Sequence, residues 1–445
     1  MINLLESAKT IFKAAISAGN PEKCVNENLK IKRNKLLVTG SKKYIDLSLI
    51  KSVIVVGAGK ATANMAKAIE NIFLNVNLPL SGIISVKYGY STPLERIRII
   101  EAGHPFPDNE GKKAAEMIVK LLKNAGKDDL VISLISGGGS ALLPSPSKGI
   151  SMRDKIKTTE LLLQCGADIE EINVIRKHIS QIKGGRLAQY AFPAKVINFL
   201  LSDVLGDRMD IIASGPFVPD TSTFEQAQEI LKKYNIDNKI PESVMKYIEE
   251  GSTGRKEETP KKDNPVFQQV ITRIIGSNKN ILYTAKASSE RLGFSTLLLS
   301  SVIKGEAREL GTFLASIAIE IKKNKHPIPP PACIIAGGET TVKVKGTGIG
   351  GRNQECALSA AKSISEIENI LVFCAGTDGT DGPTDAAGAY CTGKTVKTGI
   401  QTGLDIDTFL AQNDSYNYFK KTDGLIITGP TKTNLMDIYM VLVGD

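Results

Sequence analysis

The chain has no tryptophan, three histidines, and aromatics at only 5% of its 445 residues. Surfaces that hold single-stranded nucleic acid stack successive bases on aromatic rings, so this scarcity argues against a nucleic-acid partner. A formal net charge of +9 would otherwise invite one. The lysines are scattered, however, and build no basic helix, so much of the excess reads as solvated surface. No apolar run nears the ~18–20 residues that cross a bilayer, which argues against a membrane partner. Residues 1–19 read as an amphipathic helix, not as a signal peptide. The six cysteines (Cys24, Cys165, Cys333, Cys356, Cys374 and Cys391) form no CxxC pair. Several sit inside apolar stretches, as reduced, buried thiols of a cytoplasmic protein do. His104, His178 and His326 have no Cys or Glu at metal-ligand spacing, which argues against zinc.

What is present is the pattern of a soluble globular protein, 42% hydrophobic and 23% charged, long enough for two or three domains. Apolar runs Val53–Val56, Gly82–Val86, Ile97–Ile100, Leu130–Ile135 and Lys195–Leu201 alternate with helical stretches Ala61–Ile69, Asn109–Leu122, Arg153–Gln164 and Ile169–Ile182. Residues 30–47 read as a hairpin turning at Gly40–Ser41. Asp168 and Glu171 are spaced as a capping box. Strands alternating with helices predict a doubly wound parallel sheet. Charged, turn-forming residues dominate around GSTGRKEETPKKDNP, after which the rhythm resumes and ends in the apolar run Asp437–Val443. The fold expected is therefore α/β in two domains. Residues 1–240 form an N-terminal Rossmann-like domain, 241–265 a charged linker or insertion, and 266–445 a C-terminal mixed α/β domain.

Four strand-end loops carry the chemistry. Ala336–Glu355 follows an apolar strand, contains six glycines, and opens a helical stretch, Asn353–Ile367, with Arg352 where loop becomes helix. Gly350, Gly351, Asn353 and Glu355 surround that arginine, whose fork suits a phosphate or carboxylate beside a positive helix end. The alternative is a plain β-hairpin, TTVKVKG, before an ordinary helix. Gly57-Ala58-Gly59-Lys60 is a glycine turn with a lysine at the next helix start. It lacks the residues of a Walker A loop, and also the third glycine and ribose-binding acid of a dinucleotide fingerprint. Lys60 reads better as a point charge for a carboxylate or a transferring phosphoryl group. Ser136-Gly137-Gly138-Gly139-Ser140 is a second anion nest. The fourth loop, around Asp378, Asp381 and Asp385, suits Mg²⁺ held by one or two carboxylates plus phosphate oxygens, with Asp203 of SDVLGD as a further ligand candidate.

Taken together these motifs resemble the class II glycerate kinases, the glycerate 2-kinase family with a C-terminal MOFRL domain. The resemblance rests on VGAGKA (Val56–Ala61), GHPFPD (Gly103–Asp108), SGGGSALL (Ser136–Leu143), GADIEEINVIRKHIS (Gly166–Ser180), IKGGRLA (Ile182–Ala188) and SDVLGD (Ser202–Asp207). It continues through ASGPFVPD, GGETTV (Gly337–Val342), GGRNQE (Gly350–Glu355), AGTDGTDGPTDAAGA (Ala375–Ala389) and the ending GPTKTNLMDI. It implies transfer of the ATP γ-phosphoryl group to the 2-hydroxyl of D-glycerate with Mg²⁺, in a cleft between two α/β domains. Lys60 and Arg352 match the family's essential lysine and arginine. Small-molecule partners, D-glycerate and ATP, follow, with a homodimer as an allowed assembly. The rivals are a hydroxypyruvate reductase and a non-catalytic sensor of nucleotides or sugar acids.

Overall fold

The computed structural model describes residues 3–41 and 44–445; Met1, Ile2, Lys42 and Lys43, which belong to the expected first helix and hairpin, lie outside them. The chain divides into two units, Pro21–Ile275 and Met1–Asn20 with Gly276–Asp445.

In the first unit a small antiparallel sheet comes before the main one: β1 (Leu29–Lys32), β2 (Lys35–Val38) and β3 (Tyr44–Asp46). The β1–β2 hairpin turns at Arg33–Asn34, both at positive φ, as a tight two-residue hairpin requires. The main sheet holds β4 (Ser52–Ala58), β5 (Leu80–Lys87), β6 (Ile97–Ala102), β7 (Asp129–Ile135), β8 (Lys195–Leu201) and β9 (Val270–Gly276), in the order β6-β5-β4-β7-β8-β9. The pairs β6/β5, β5/β4, β4/β7 and β7/β8 are parallel. Runs such as VIVV and LVISLI are buried along their length because helices cover both faces of a parallel sheet. Strand order reverses between β4 and β7, and ligands of such sheets bind beyond the carboxyl ends of the strands at that reversal.

Helices fall where the periodicity places them. The helix Ile169–His178 starts on the Asp168–Glu171 capping box. It ends four residues earlier than the pattern suggests, because Ser180 bridges to Pro146 and Gln181 N–H donates to Ser145 O. Residues 241–265, for which the sequence suggests a linker, hold the helix Glu242–Ser252. Its Val244 and Ile248 are buried with Leu162, Ile175 and Leu231. The linker-like composition comes from the charged residues that follow the helix, and among these Glu258 turns inward to buried His178.

The second unit is a mixed sheet of β10 (Ser295–Ile303), β11 (Ala332–Gly338), β12 (Ile370–Gly376), β13 (Gly388–Thr392), β14 (Leu425–Ile426) and β15 (Asp437–Val443). Its order is β10-β11-β15-β12-β13-β14, with only β10/β11 parallel. β15 is buried at every residue and pairs antiparallel with β11 and β12 on either side. The helix Leu4–Ala18 packs here, with Phe12 and Phe373 ring centroids 5.2 Å apart and Thr433 Oγ1 donating to Gly19 O at 2.8 Å.

Candidate active site

At the sheet reversal of the first unit, the loops after β4 and β7 interlock. Lys60 N–H donates to Gly137 O at 2.9 Å, and Ala61 N–H donates to Ser136 Oγ at 3.0 Å. Thr62 Oγ1, 3.3 Å from Leu134 O and 3.2 Å from Ser136 Oγ, ties the following helix to the same loop. The glycines are consumed by this contact. A Cβ on Gly57 would sit 2.2 Å from Leu134 O, and one on Gly59, at φ +146°, would sit 2.6 Å from Ser136 O. Gly57, Gly59 and Ser136 therefore shape the loops more than they face a ligand. Gly138 lies at φ +83° against the His104 ring, and a Cβ on Gly137 would sit 2.2 Å from Asp203 Oδ2. His104, Lys60, Asp203 and the Gly137–Ser140 turn are thus gathered at one sheet edge. Burial, then the charges of Lys60 and Lys87, push the His104 pKa down to about 4, so its imidazole is neutral at pH 7. Lys60 makes no ion pair among the described residues, which leaves its charge available to a bound anion.

The second unit places Arg352 at the start of the helix Arg352–Ser363. Its guanidinium is already occupied. Nε and Nη2 donate to the two oxygens of Asp437 at 2.6 and 3.0 Å, and Nη1 donates to Glu339 Oε1 at 2.7 Å. Burial opposes the charge, but the hydrogen bonds and charge of Asp437, with Glu339, hold Arg352 more firmly protonated than usual. Asp437 is fully buried and also accepts from Tyr439 OH at 3.1 Å. Neither carboxylate follows from a glycine-loop pattern. Glu339 is the acid of GGETTV and Asp437 that of the terminal TNLMDI, so the motifs held both, but without a signal that they converge on the arginine.

The helix end beside Arg352 carries an anion of its own. Asp381, buried, accepts from the backbone N–H groups of Asn353 and Gln354 at 3.1 and 2.9 Å, and from Asn353 Nδ2 at 3.3 Å. Burial pushes its carboxyl up to about 6, against the pull of the Gln354 and Asn353 amides. Gly351 is a glycine because a Cβ would strike Asp381 at 2.2 Å, and Gly350 because one would strike Ser415 Oγ at 2.2 Å. Asn353 and Glu355, which the sequence puts among ligand-binding residues, are given to internal partners. Glu355 is buried against Arg308 and Asn413. A single charged loop residue, Asp381, explains two of the positions that read as a phosphate cradle, Gly351 and Asn353.

Among the described residues no three acid, histidine or cysteine side chains come together as a metal cage. Asp378 closes an Asx turn, accepting from Thr380 N–H at 3.0 Å and Thr380 Oγ1 at 3.1 Å through Oδ1. A Cβ on Gly376 would lie 3.4 Å from Asp378 Oδ1 and 3.5 Å from Asp437 Oδ1, so both carboxylates flank the end of β12. Asp437 is taken up by Arg352, so Asp378 is the carboxylate here open to a hard cation that keeps most of its ligands as water and phosphate oxygens.

Comparison with known proteins identifies the family. A family described as a domain of unknown function, DUF4147, matches residues 7–249, and the MOFRL family matches residues 332–437. The glycerate 2-kinase of Pyrococcus horikoshii is 43% identical over 99% of this chain and 98% of its own length. The D-glycerate 2-kinase of Thermotoga maritima is likewise 43% identical, over 99% of both. The chain belongs to the glycerate 2-kinase family. A crystal structure of a glycerate kinase from Thermotoga maritima superposes with a TM-score of 0.88 at 44% identity, covering 99% of each chain. Another family relative, 39% identical over 98% of this chain and 94% of its own, bears the name putative hydroxypyruvate reductase in Agrobacterium vitis.

Proposed function

We propose that this member of the glycerate 2-kinase family transfers the γ-phosphoryl group of ATP to the 2-hydroxyl of D-glycerate, giving 2-phosphoglycerate and ADP. The 43% identity to two glycerate 2-kinases over 99% of the chain carries the reading. A bond forms from the glycerate O2 to the γ-phosphorus, the bond from that phosphorus to the β,γ-bridging oxygen breaks, and the hydroxyl proton leaves to solvent. Such a transfer asks for positioning and charge neutralisation more than for a strong base. Lys60, without an ion-pair partner among the described residues, supplies a point charge to a reactant's anionic group. Arg352, clamped by Asp437, keeps its orientation while the half-exposed Glu339 on Nη1 yields that edge to a reactant oxyanion. Neutral His104 and the Gly138–Ser140 turn line the acceptor side. Mg²⁺, when bound, would neutralise phosphate charge; Asp378 of the mixed-sheet unit is the carboxylate that would hold it, with Asp203 of the other unit as a separate candidate.

An assay with ATP, Mg²⁺ and D-glycerate that separates 2- from 3-phosphoglycerate tests the reading. Formation of 2-phosphoglycerate supports it; ATP consumption with only the 3-isomer, or none, rejects it. The reductase name in the family motivates a second assay, NADH consumption with hydroxypyruvate. The glycine turn is poorly suited to that chemistry: the approach to Gly59 that a pyrophosphate would need is filled by Ser136, and β5 ends at Lys87 without a ribose-binding acid.

A further inference from the structure

The motif GADIEEINVIRKHIS is not accounted for by the roles given so far, although it carries a cluster of cations. Lys155, on the helix Met152–Gln164, and Arg176, on the helix Ile169–His178, both line a cavity of about 560 Å³ in the first unit. Asn173 and Ser140 line it too, so the cavity is continuous with the turn after β7. Lys155 is only 4% exposed. Among the described residues no ion pair joins Lys155 or Arg176 to a carboxylate, although Glu160 and Asp203 also line the cavity. The neighbouring Lys177 shows what a satisfied cation looks like here, with Nζ at 3.1 Å from both Asp210 and Asp220.

A third cation stands behind the wall. Lys183, fully buried, donates to Ser140 O at 3.1 Å, Ser140 Oγ at 3.0 Å and Ala213 O at 3.4 Å, all neutral acceptors. Buried charges without a counter-charge are costly, and folded proteins keep them where a ligand provides the missing sign. Burial, and next the charge of Arg176, push the Lys155 ammonium down to about 8; burial also lowers Arg176. Both shifts come first from burial, in line with the absence of a carboxylate on either cation among the described residues.

We propose that Lys155 and Arg176, with Asn173 and Ser140, form a subsite for an oxyanion group of a reactant, a phosphate or a carboxylate. Arg176 supplies a flat fork for two oxygens and Lys155 a point charge beside them, while Asn173 fixes orientation through its bond to Ser214 Oγ at 2.7 Å. Which reactant supplies the group rests on the kinase reading above; the presence of the subsite does not.

The test uses Lys155→Met and Arg176→Met in the full chain, with steady-state kinetics in ATP and in D-glycerate and thermal unfolding with and without each anion. Methionine fills similar volume without charge, so the unliganded variants should melt no lower than the wild type. A KM for D-glycerate raised at least tenfold with the ATP value unchanged assigns the group to the acceptor carboxylate; the reverse assigns it to the donor phosphates. Both KM values within twofold of wild type, in an active enzyme, overturn the subsite while the kinase reading stands. If the wild type shows no kinase activity, the unfolding arm decides. Stabilisation of the wild type but not the variants by ATP, D-glycerate or inorganic phosphate supports the subsite, and equal or absent shifts reject it.

Discussion

Asp437→Asn isolates the part of the candidate site that the structure makes most rigid. The native carboxylate accepts two hydrogen bonds from Arg352 and one from Tyr439, and it is wholly buried. The amide keeps the shape but removes the negative charge and turns an N–H₂ toward a donor. Removing one partner of a buried pair costs about 3–5 kcal/mol. The Arg352 side chain is one-third exposed and retains Glu339, so solvent and the second carboxylate offset part of this. We expect about 2–3 kcal/mol of destabilisation, after that discount for partial exposure. Chemical denaturation followed by a probe in the mixed-sheet unit, such as Tyr439, should show the loss there. Turnover should also fall, because Arg352 loses the clamp that orients it. A denaturation midpoint equal to the wild type's, together with unchanged turnover, would refute the claim that Asp437 holds the arginine.

Three further outcomes follow from the same geometry. Lys60→Ala should lower turnover by at least ~10²-fold with little change in melting temperature, since a lysine without an ion-pair partner contributes mainly to the developing charge; near-normal turnover would remove its assigned role. Gly59→Ala, at φ +146° and with Ser136 O 2.6 Å from the added carbon, should destabilise by roughly 2–4 kcal/mol or prevent folding, visible as a lowered melting temperature or insoluble expression. Glu258→Gln should blunt acid sensitivity. Burial would raise this carboxyl, but the bonds from His178 and from the amides of Thr259 and Phe224 pull it down to about 2. A depressed carboxyl stabilises the fold above the unfolded value near 4.5, and that stabilisation is lost as pH falls through 4.5 toward 2. The side chain is one-third exposed, so the effect is discounted to about 1–2 kcal/mol. Urea midpoints of the two proteins across pH 2–6 should converge at the acid end, and parallel curves would contradict the assignment.

The sheet of the first unit was legible because its strands are apolar on both faces and end in glycine turns, a pattern that leaves few alternatives to a parallel arrangement. The start of the Ile169 helix was legible for the same local reason: a capping box is a short-range signal. What escaped the sequence is pairing at long range. The partners of Arg352 lie 13 residues before it and 85 residues after it. Gly350, Gly351, Asn353 and Glu355 looked like a cradle for a foreign anion because nothing local reveals their distant partners: Ser415 against Gly350, Asp381 against Gly351 and Asn353, and Arg308 with Asn413 on Glu355. The charged surface of the helix Glu242–Ser252 disguised a buried inner face, and the strands β13 and β14 are too short and too glycine-flanked to stand out. Lys155 and Arg176 gave no signal beyond membership of a helix, since an unpaired cation is recognisable only once its surroundings are known.

The helix Leu4–Ala18 buries Ala8, Ile11, Phe12 and Ala15 in the unit completed by the last strand, and the bond from Thr433 to Gly19 spans 414 positions. On a ribosome adding ~5–20 amino acids each second, that helix waits roughly 20–80 s for its binding surface to be made. Meanwhile the whole of Pro21–Ile275, whose own contacts lie within that span, emerges and can finish folding. The helix Leu4–Ala18 is thus among the last elements to settle, its apolar side left without its binding surface until the closing strand of this unit is made.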